Sequence, residues 1–338
     1  MNRAHSLPTT LRDWILGAAV ATAILGGTTP AVAADSAAGD LLIVVGAAGE
    51  DEYGGQFREW ATRWEAAGRR GGWRTHLIGL DDPPADGSDA DRTRLERALA
   101  EAAMEKGAEL WIVFIGHGTF DKRATKFNLR GPDVSPEDVA TWLAAIERPV
   151  AMVDCSSASG PFLQKLAGRN RVVVTATKSG GEQFFARFGD HVSRAIDSPA
   201  ADLDKDGQTS LLEAFLEASR LTKRFYDDDG GRIVSEHAIL DDNGDGFGSP
   251  ADAYRGLEPK AAADPTKPFD GITAHLWHLV RSDADAALAP EQLRQRTELE
   301  LAVHALRRRK AEMPADAYFA ELERLLVKIA AINESGGK

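Results

Sequence analysis

Leu110-Trp111-Ile112-Val113-Phe114-Ile115-Gly116-His117-Gly118 is an unbroken apolar run that stops on a histidine held between glycines. A short continuous apolar run with a glycine stop reads as a strand buried on both faces, as in the middle of a parallel sheet. Pro149-Val150-Ala151-Met152-Val153-Asp154-Cys155 repeats the form further along and stops on a thiol. Outward from this pair, Leu41 to Val45 reads as a first buried strand, followed by a helical pattern through Phe57, Trp60 and Trp64. A second strand fits Trp73 to Leu80, and a helix follows from Ser88, where Ser88 and Asp91 have capping-box spacing. Ser135-Pro136-Glu137-Asp138 places a cap, a first-turn proline and first-turn acids ahead of a helix ending near Ile146. A short helix fits from Pro161, and a fifth strand fits Arg171 to Thr177. Strands alternating with helices predict an α/β fold, a doubly wound and mostly parallel sheet with helices on both faces.

Ligand sites of open α/β sheets lie beyond the carboxyl ends of the strands, where loops and helix N-termini converge. Consecutive runs therefore deliver the imidazole of His117 and the thiol of Cys155 to one rim. A thiol with its ordinary pKa near ~8.5 supplies little thiolate at neutral pH, so a histidine that takes its proton and a nearby helix N-terminus would both activate it. Successive strand residues face opposite ways, which turns Asp154 away from the sulfur. Cys155 is the single cysteine, and the plainer reading of a lone cysteine is a small buried apolar residue.

A hydrophobic strand ending in His-Gly, a spacer, and a hydrophobic strand ending in Cys resemble the legumain, caspase, gingipain and separase clan of cysteine peptidases, over about residues 40–200. The resemblance implies a caspase/legumain-like sheet, a His117–Cys155 dyad, an oxyanion hole from the amides of Gly118 and Cys155, and a protein or peptide substrate. The sequence departs from the clan at Asp154, where alanine is usual, and in the turn Ser156-Ser157-Ala158-Ser159. Ser156 or Ser157 as a substitute nucleophile has nothing specific behind it. The clan's specificity pocket falls partly on residues 178–182, where Glu182 would favour a basic side chain and Lys178 an acidic one.

Residues 202–213 match the constrained positions of the twelve-residue EF-hand calcium loop. Asp202, Asp204 and Asp206 supply carboxylates, Gly207 permits the turn, Gln208 offers a carbonyl, Ser210 acts directly or through water, and Glu213 binds through both oxygens. Pro199 favours a loop-then-helix site over a full helix-loop-helix hand. A second loop sets Asp241, Asn243, Asp245 and Gly246 in the same order, with Ser249 and Asp252 at positions nine and twelve and Pro250 intruding. Calcium is the expected cofactor, in a structural role that holds the C-terminal half together. His275 and His278 share a helical face without a third ligand nearby and read as packing residues; His237 reads as structural.

Arg3 and Arg12, an apolar run from Trp14 to Gly27 and Ala31-Val32-Ala33 form a secretory signal with cleavage expected after Ala33. Nothing later is long and apolar enough for a stable membrane span, so the mature chain is expected to be exported, periplasmic or secreted. A net charge of −12 over 338 residues argues against a nucleic-acid partner. The expected organisation is a signal at 1–33, an α/β domain at 39–200, calcium loops at 201–258, a linker at 259–285 and an amphipathic helical hairpin at 286–338. Tyr318, Phe319, Leu322, Leu325, Leu326 and Ile329 line one face of that hairpin, for packing on the core or for a dimer or partner surface. Gly46-Ala47-Ala48-Gly49 lacks the spaced glycines of a dinucleotide fingerprint. The first expectation is an exported cysteine endopeptidase that forms a thioester acyl-enzyme, with structural calcium. The alternative is a catalytically inactive calcium-binding scaffold or interaction protein on the same fold.

Overall fold

A computed structural model describes residues 37–81, 90–228, 233–260, 262 and 266–336; the expected signal segment and Ser88 lie outside them. All belong to one compact unit, Ala37–Lys338. Five parallel strands form the body of the sheet: β1 (Gly39–Val45), β2 (Arg74–Ile78), β3 (Glu109–Ile115), β6 (Val150–Asp154) and β7 (Arg171–Thr175). A hairpin of β4 (Gly118–Phe120) and β5 (Thr125–Phe127) rises from the end of β3, outside the main sheet. Two short antiparallel strands, β8 (Ile239–Asp241) and β9 (Ser249–Pro250), complete the order β2-β1-β3-β6-β7-β8-β9.

Strand residues alternate between two cores, as a period of two requires. Leu41, Ile43, Trp111, Val113, Ala151, Val153 and Cys155 face one layer of helices, α1 (Asp51–Arg70), α5 (Phe188–Ala195) and α6 (Leu211–Asp228). Leu42, Val44, Ile112, Phe114, Val150 and Met152 face the other, α2 (Asp91–Ala102), α3 (Pro136–Leu143) and α4 (Gly160–Leu166). The doubly wound α/β expectation holds, and the caps explain where the helices begin. Ser135 and Asp138 close the capping box on α3 with Pro136 in its first turn. The start of α5 is held from a distance: buried Glu236 accepts from the amides of Arg187 at 2.9 Å and Phe188 at 3.0 Å.

Residues 259–285 are more than the expected linker. Trp277 and Leu279 are buried in the same core as β3, and Trp73 Nε1 donates to the Leu279 carbonyl at 2.6 Å. The Pro- and Ala-containing start hid an apolar alternation, Trp277 and Leu279, that closes the lower end of the α1 layer. Short helices α7 (Ile272–His275) and α8 (Asp283–Ala286) lead into the hairpin of α9 (Pro290–Arg308) and α10 (Ala315–Gly336). Val303, Leu306, Tyr318 and Leu325 form its small core, while Phe319, Leu326 and Val327 stay exposed. No helix among the described residues is long and apolar enough to cross a membrane.

The edge of the sheet opposite the histidine is locked by a buried ion cluster. Arg148, whose side chain is fully buried, donates to Asp40 Oδ2 at 2.6 Å, and Arg74 Nε donates to Asp40 Oδ1 at 2.7 Å. Burial alone would push the Asp40 pKa up, but hydrogen bonds and charge from Arg74 and Arg148 outweigh it and hold the carboxyl below its usual range. Removing one partner of a buried pair strands the other, so Arg148→Met is expected to cost about 3 kcal/mol, read as a lower urea midpoint at unchanged slope. An unchanged midpoint would mean that Arg74 alone satisfies Asp40.

Candidate active site and acidic loops

The register of β3 against β6 decides where the two reactive side chains end. Leu110 pairs with Val150 and Phe114 with Asp154, and the Cys155 amide donates to the Phe114 carbonyl at 2.8 Å. Carried three residues further, that register sets residue 157 opposite His117. Gly118, next to His117, does meet Ser157: its amide donates to Ser157 Oγ at 3.1 Å and the same hydroxyl donates back to the Gly118 carbonyl at 3.1 Å. A Cβ on Gly118 would fall 2.0 Å from the Ser157 carbonyl oxygen, so this crossing needs glycine. The thiol therefore stops two strand residues below the rim, about 7 Å along the strand direction.

Cys155 is 1 % exposed and belongs to the apolar core. Helix α5 rests on it through Gly189, where a Cβ would come within 2.5 Å of Trp60 and 2.9 Å of Cys155 Cβ. Among the described residues its sulfur makes no hydrogen bond. Burial first, then the charges of Asp154 and Glu236, push its pKa well above the ordinary value. The expected helix dipole does not compensate, because α4 is short and its Gly160 amide donates to Thr177 Oγ1 at 3.2 Å. Both expected oxyanion donors are likewise engaged, the Cys155 amide by Phe114 and the Gly118 amide by Ser157.

His117 stands at the rim in an aromatic enclosure. Its ring meets Tyr53 edge-on at 4.8 Å, Phe57 at 5.1 Å and Phe185 at 5.9 Å between centroids. Nε2 lies 3.2 Å from the Ala48 carbonyl, which can only accept and so fixes the ring proton on Nε2. Burial lowers the His117 pKa, more than the Ala48 hydrogen bond and the Glu50 charge raise it. His117 and Cys155 thus share one layer of the fold without a hydrogen bond between them. The enclosing Tyr53 and Phe185 escaped the sequence reading, since aromatics at such spacings look like ordinary core.

Asp154 points to the other face, as the strand alternation predicts. It is fully buried, and Oδ1 accepts from the Ser156 amide at 2.9 Å and the Ser156 hydroxyl at 2.6 Å. Its Oδ2 has no partner among the described residues. Burial pushes its pKa up to about 7 against the weaker lowering by Ser156. Glu182 is committed within the structure: it accepts from the Lys178 amide at 3.0 Å and the His237 amide at 3.1 Å, and pairs with His237 Nδ1 at 2.5 Å. That pairing fixes the structural role expected of His237.

In the first acidic loop, oxygens of Asp202, Asp204 and Asp206 lie within 4.8 Å of one another, a spread that one ion with oxygen ligands at about 2.4 Å can bridge. Gly207 takes φ +90°, the left-handed turn that this position demands. Glu213, 1 % exposed, folds back over the loop: Oε1 accepts from the Leu203 amide at 2.7 Å and the Asp204 amide at 3.4 Å, and Oε2 from the Ser210 amide and hydroxyl, both at 2.8 Å. An all-oxygen, carboxylate-rich donor set of this kind suits a hard cation such as calcium. Gln208 links the loop to the segment behind it: Nε2 donates to Asp206 Oδ2 at 3.0 Å and to Asp285 at 2.9 Å, and its carbonyl accepts from the Ser282 amide at 2.9 Å; Asp285 pairs in turn with Arg296 of α9. His275 Nε2 lies 3.6 Å from Asp204 Oδ2.

The second loop repeats the turn. Asp241 accepts from the Gly244 amide at 3.0 Å and the Gly246 amide at 2.7 Å, Asn243 from Asp245 at 2.8 Å, and Asp245 from Phe247 at 2.8 Å. Asp252 does not take the twelfth position. It lies exposed on a 3-10 turn, residues 251–253, because Pro250 ends the pairing of β9 with β8 and the chain turns away.

No family model matches the chain, and no curated protein matches it. Solved structures do. Its structural neighbours include caspases and a C11 cysteine protease. The Drosophila initiator caspase Dronc is 12% identical, with 63% of this chain and 81% of Dronc covered at a TM-score of 0.39. Caspase-1 from Spodoptera frugiperda is 9% identical, over 61% of this chain and 86% of its own, at 0.38. A secreted C11 cysteine protease from Bacteroides thetaiotaomicron, solved with an irreversible peptide inhibitor, is 11% identical, over 60% and 66%, at 0.35. At such identities and TM-scores the likeness carries no argument about this chain, and both its fold and its chemistry have to be read from the residues described above.

Proposed function

We propose that this chain is an exported, calcium-binding scaffold or interaction protein on a caspase-like α/β fold, which engages protein or peptide partners without covalent catalysis by Cys155. One observation carries the reading: the thiol is 1 % exposed beneath Trp60 and α5, with no hydrogen bond to His117. A nucleophile needs a thiolate and an open approach, and a desolvated thiol two residues below the rim has neither. The oxygen-rich loop of Asp202, Asp204, Asp206 and Glu213 supports the calcium part of the reading.

The rival reading, a cysteine endopeptidase, is favoured by the shared face of His117 and Cys155. Alkylation separates the two. Iodoacetamide is expected to modify Cys155 of the folded, calcium-loaded chain slowly at every pH below about 9, with the same rate in His117→Ala. Rapid alkylation near neutral pH that His117→Ala slows tenfold or more would restore the endopeptidase.

A further inference from the structure

The two acidic loops differ in the origin of the carboxylate that closes them. In the first, Glu213 at position twelve reaches back to the amides of positions two and three with one oxygen, and to the serine of position nine with the other. In the second, the same contacts are made by Asp270. Its Oδ1 accepts from the amides of Asp242 at 3.2 Å and Asn243 at 3.3 Å, positions two and three, and its Oδ2 accepts from the hydroxyl of Ser249, position nine, at 2.6 Å. We propose that the second loop is a divalent-cation site of its own, completed from outside the loop by Asp270 in place of Asp252, with calcium as its ion.

Independent features of the surroundings point to a missing positive charge. Asp241 and Asp270 are 0 % and 1 % exposed, yet among the described residues no lysine, arginine or histidine pairs with either of them, nor with Asp242 or Asp245. Buried carboxylates without a counter-charge are costly, and a cation is the usual remedy. Tyr254 is 6 % exposed, burial and then the charges of Asp242 and Asp270 push its pKa up, and its hydroxyl, beside Ser249, has no hydrogen-bond partner of good geometry among the described residues. Its ring lies against Gly271, the residue after Asp270, where a Cβ would fall 2.7 Å from Tyr254 Cε1 and 3.1 Å from its hydroxyl. Asp245 Oδ2 is also shut off from solvent and has no hydrogen-bond partner among the described residues. The orphaned oxygens of Tyr254 and Asp245 and the serine-anchored carboxylate of Asp270 therefore surround a loop whose turn already follows the calcium-binding pattern. The shorter aspartate suffices because it approaches from a separate segment, just before α7, and does not have to fold back from the end of the loop.

This assignment rests on the calcium reading given above, and the test keeps the two apart. Calcium is titrated calorimetrically into the full chain after chelation, with circular dichroism to verify folding. Wild type is expected to bind two ions, Glu213→Gln one, Asp241→Asn one, Asp270→Asn one and Asp252→Asn two. Two ions retained in Asp270→Asn, with one lost in Asp241→Asn, would overturn the role of Asp270 and leave the calcium reading standing. A wild-type chain that takes up no calcium removes both; one ion in wild type, lost in Glu213→Gln, removes the second site alone. Should Asp270→Asn fail to fold, Asp270→Glu keeps the charge and moves it by one methylene. It is expected to weaken only one of the two sites, by tenfold or more, and unchanged affinities at both would overturn the proposal.

Discussion

Replacing Asp154 by asparagine is expected to stabilise the protein, and by more the higher the pH. The carboxyl is fully buried, one of its oxygens has no partner among the described residues, and burial raises its native pKa to about 7. In the unfolded chain an aspartate ionises near pH ~3.9. Between those values the unfolded state releases its proton while the native state retains it. The native state is thus penalised progressively as pH rises from about 4, at about 1.4 kcal/mol per pH unit, and the penalty levels off above about 7. Urea unfolding of wild type and Asp154→Asn at pH 5 and pH 8 should show the advantage of the variant growing by about 2–3 kcal/mol between the two. Parallel stabilities at both pH values would mean that water or a partner reaches the second oxygen.

Chelation is expected to have an effect of similar size. An ion that binds only the native state at a hundred times its dissociation constant stabilises by about 2.7 kcal/mol, so two such sites contribute about 5 kcal/mol. For a chain of this size that corresponds to a fall in melting temperature of about 7–8 °C, read by scanning calorimetry with calcium and with EDTA. The loops should respond this strongly because they are integral to the core. Leu211, Leu212 and Phe215, which follow the first loop, are fully buried against the sheet, and β8 leads directly into the second. An unchanged melting temperature would remove calcium as the element that holds the C-terminal half.

Much of the fold was legible because it is written locally. The runs 41–45, 110–115 and 149–154 became β1, β3 and β6, and the Ser135–Asp138 box begins α3 where the sequence placed it. Helix α5 was not legible, since its cap, Glu236, comes from a distant segment. Nor was the antiparallel β8, whose three residues carry no periodicity of their own. The candidate site was legible in kind and misjudged in depth. His117 and Cys155 do lie on one face, but a strand's register is a relation between two chains of residues, and only the pairing of Phe114 with Asp154 shows that the thiol falls short. The turn residues of both acidic loops were readable from spacing alone. Asp270 lies outside any twelve-residue window and was out of reach.

The bond between Gln208 and the C-terminal helices has a practical consequence. Ser282 and Asp285 hold the side chain of Gln208 in the first loop, and Asp285 is itself gripped by Arg296 of α9. The hairpin is therefore no detachable tag. A fragment ending before Ser282 would keep every loop carboxylate and still lose the brace on Gln208, so the minimal unit in which to measure ion binding extends to α9.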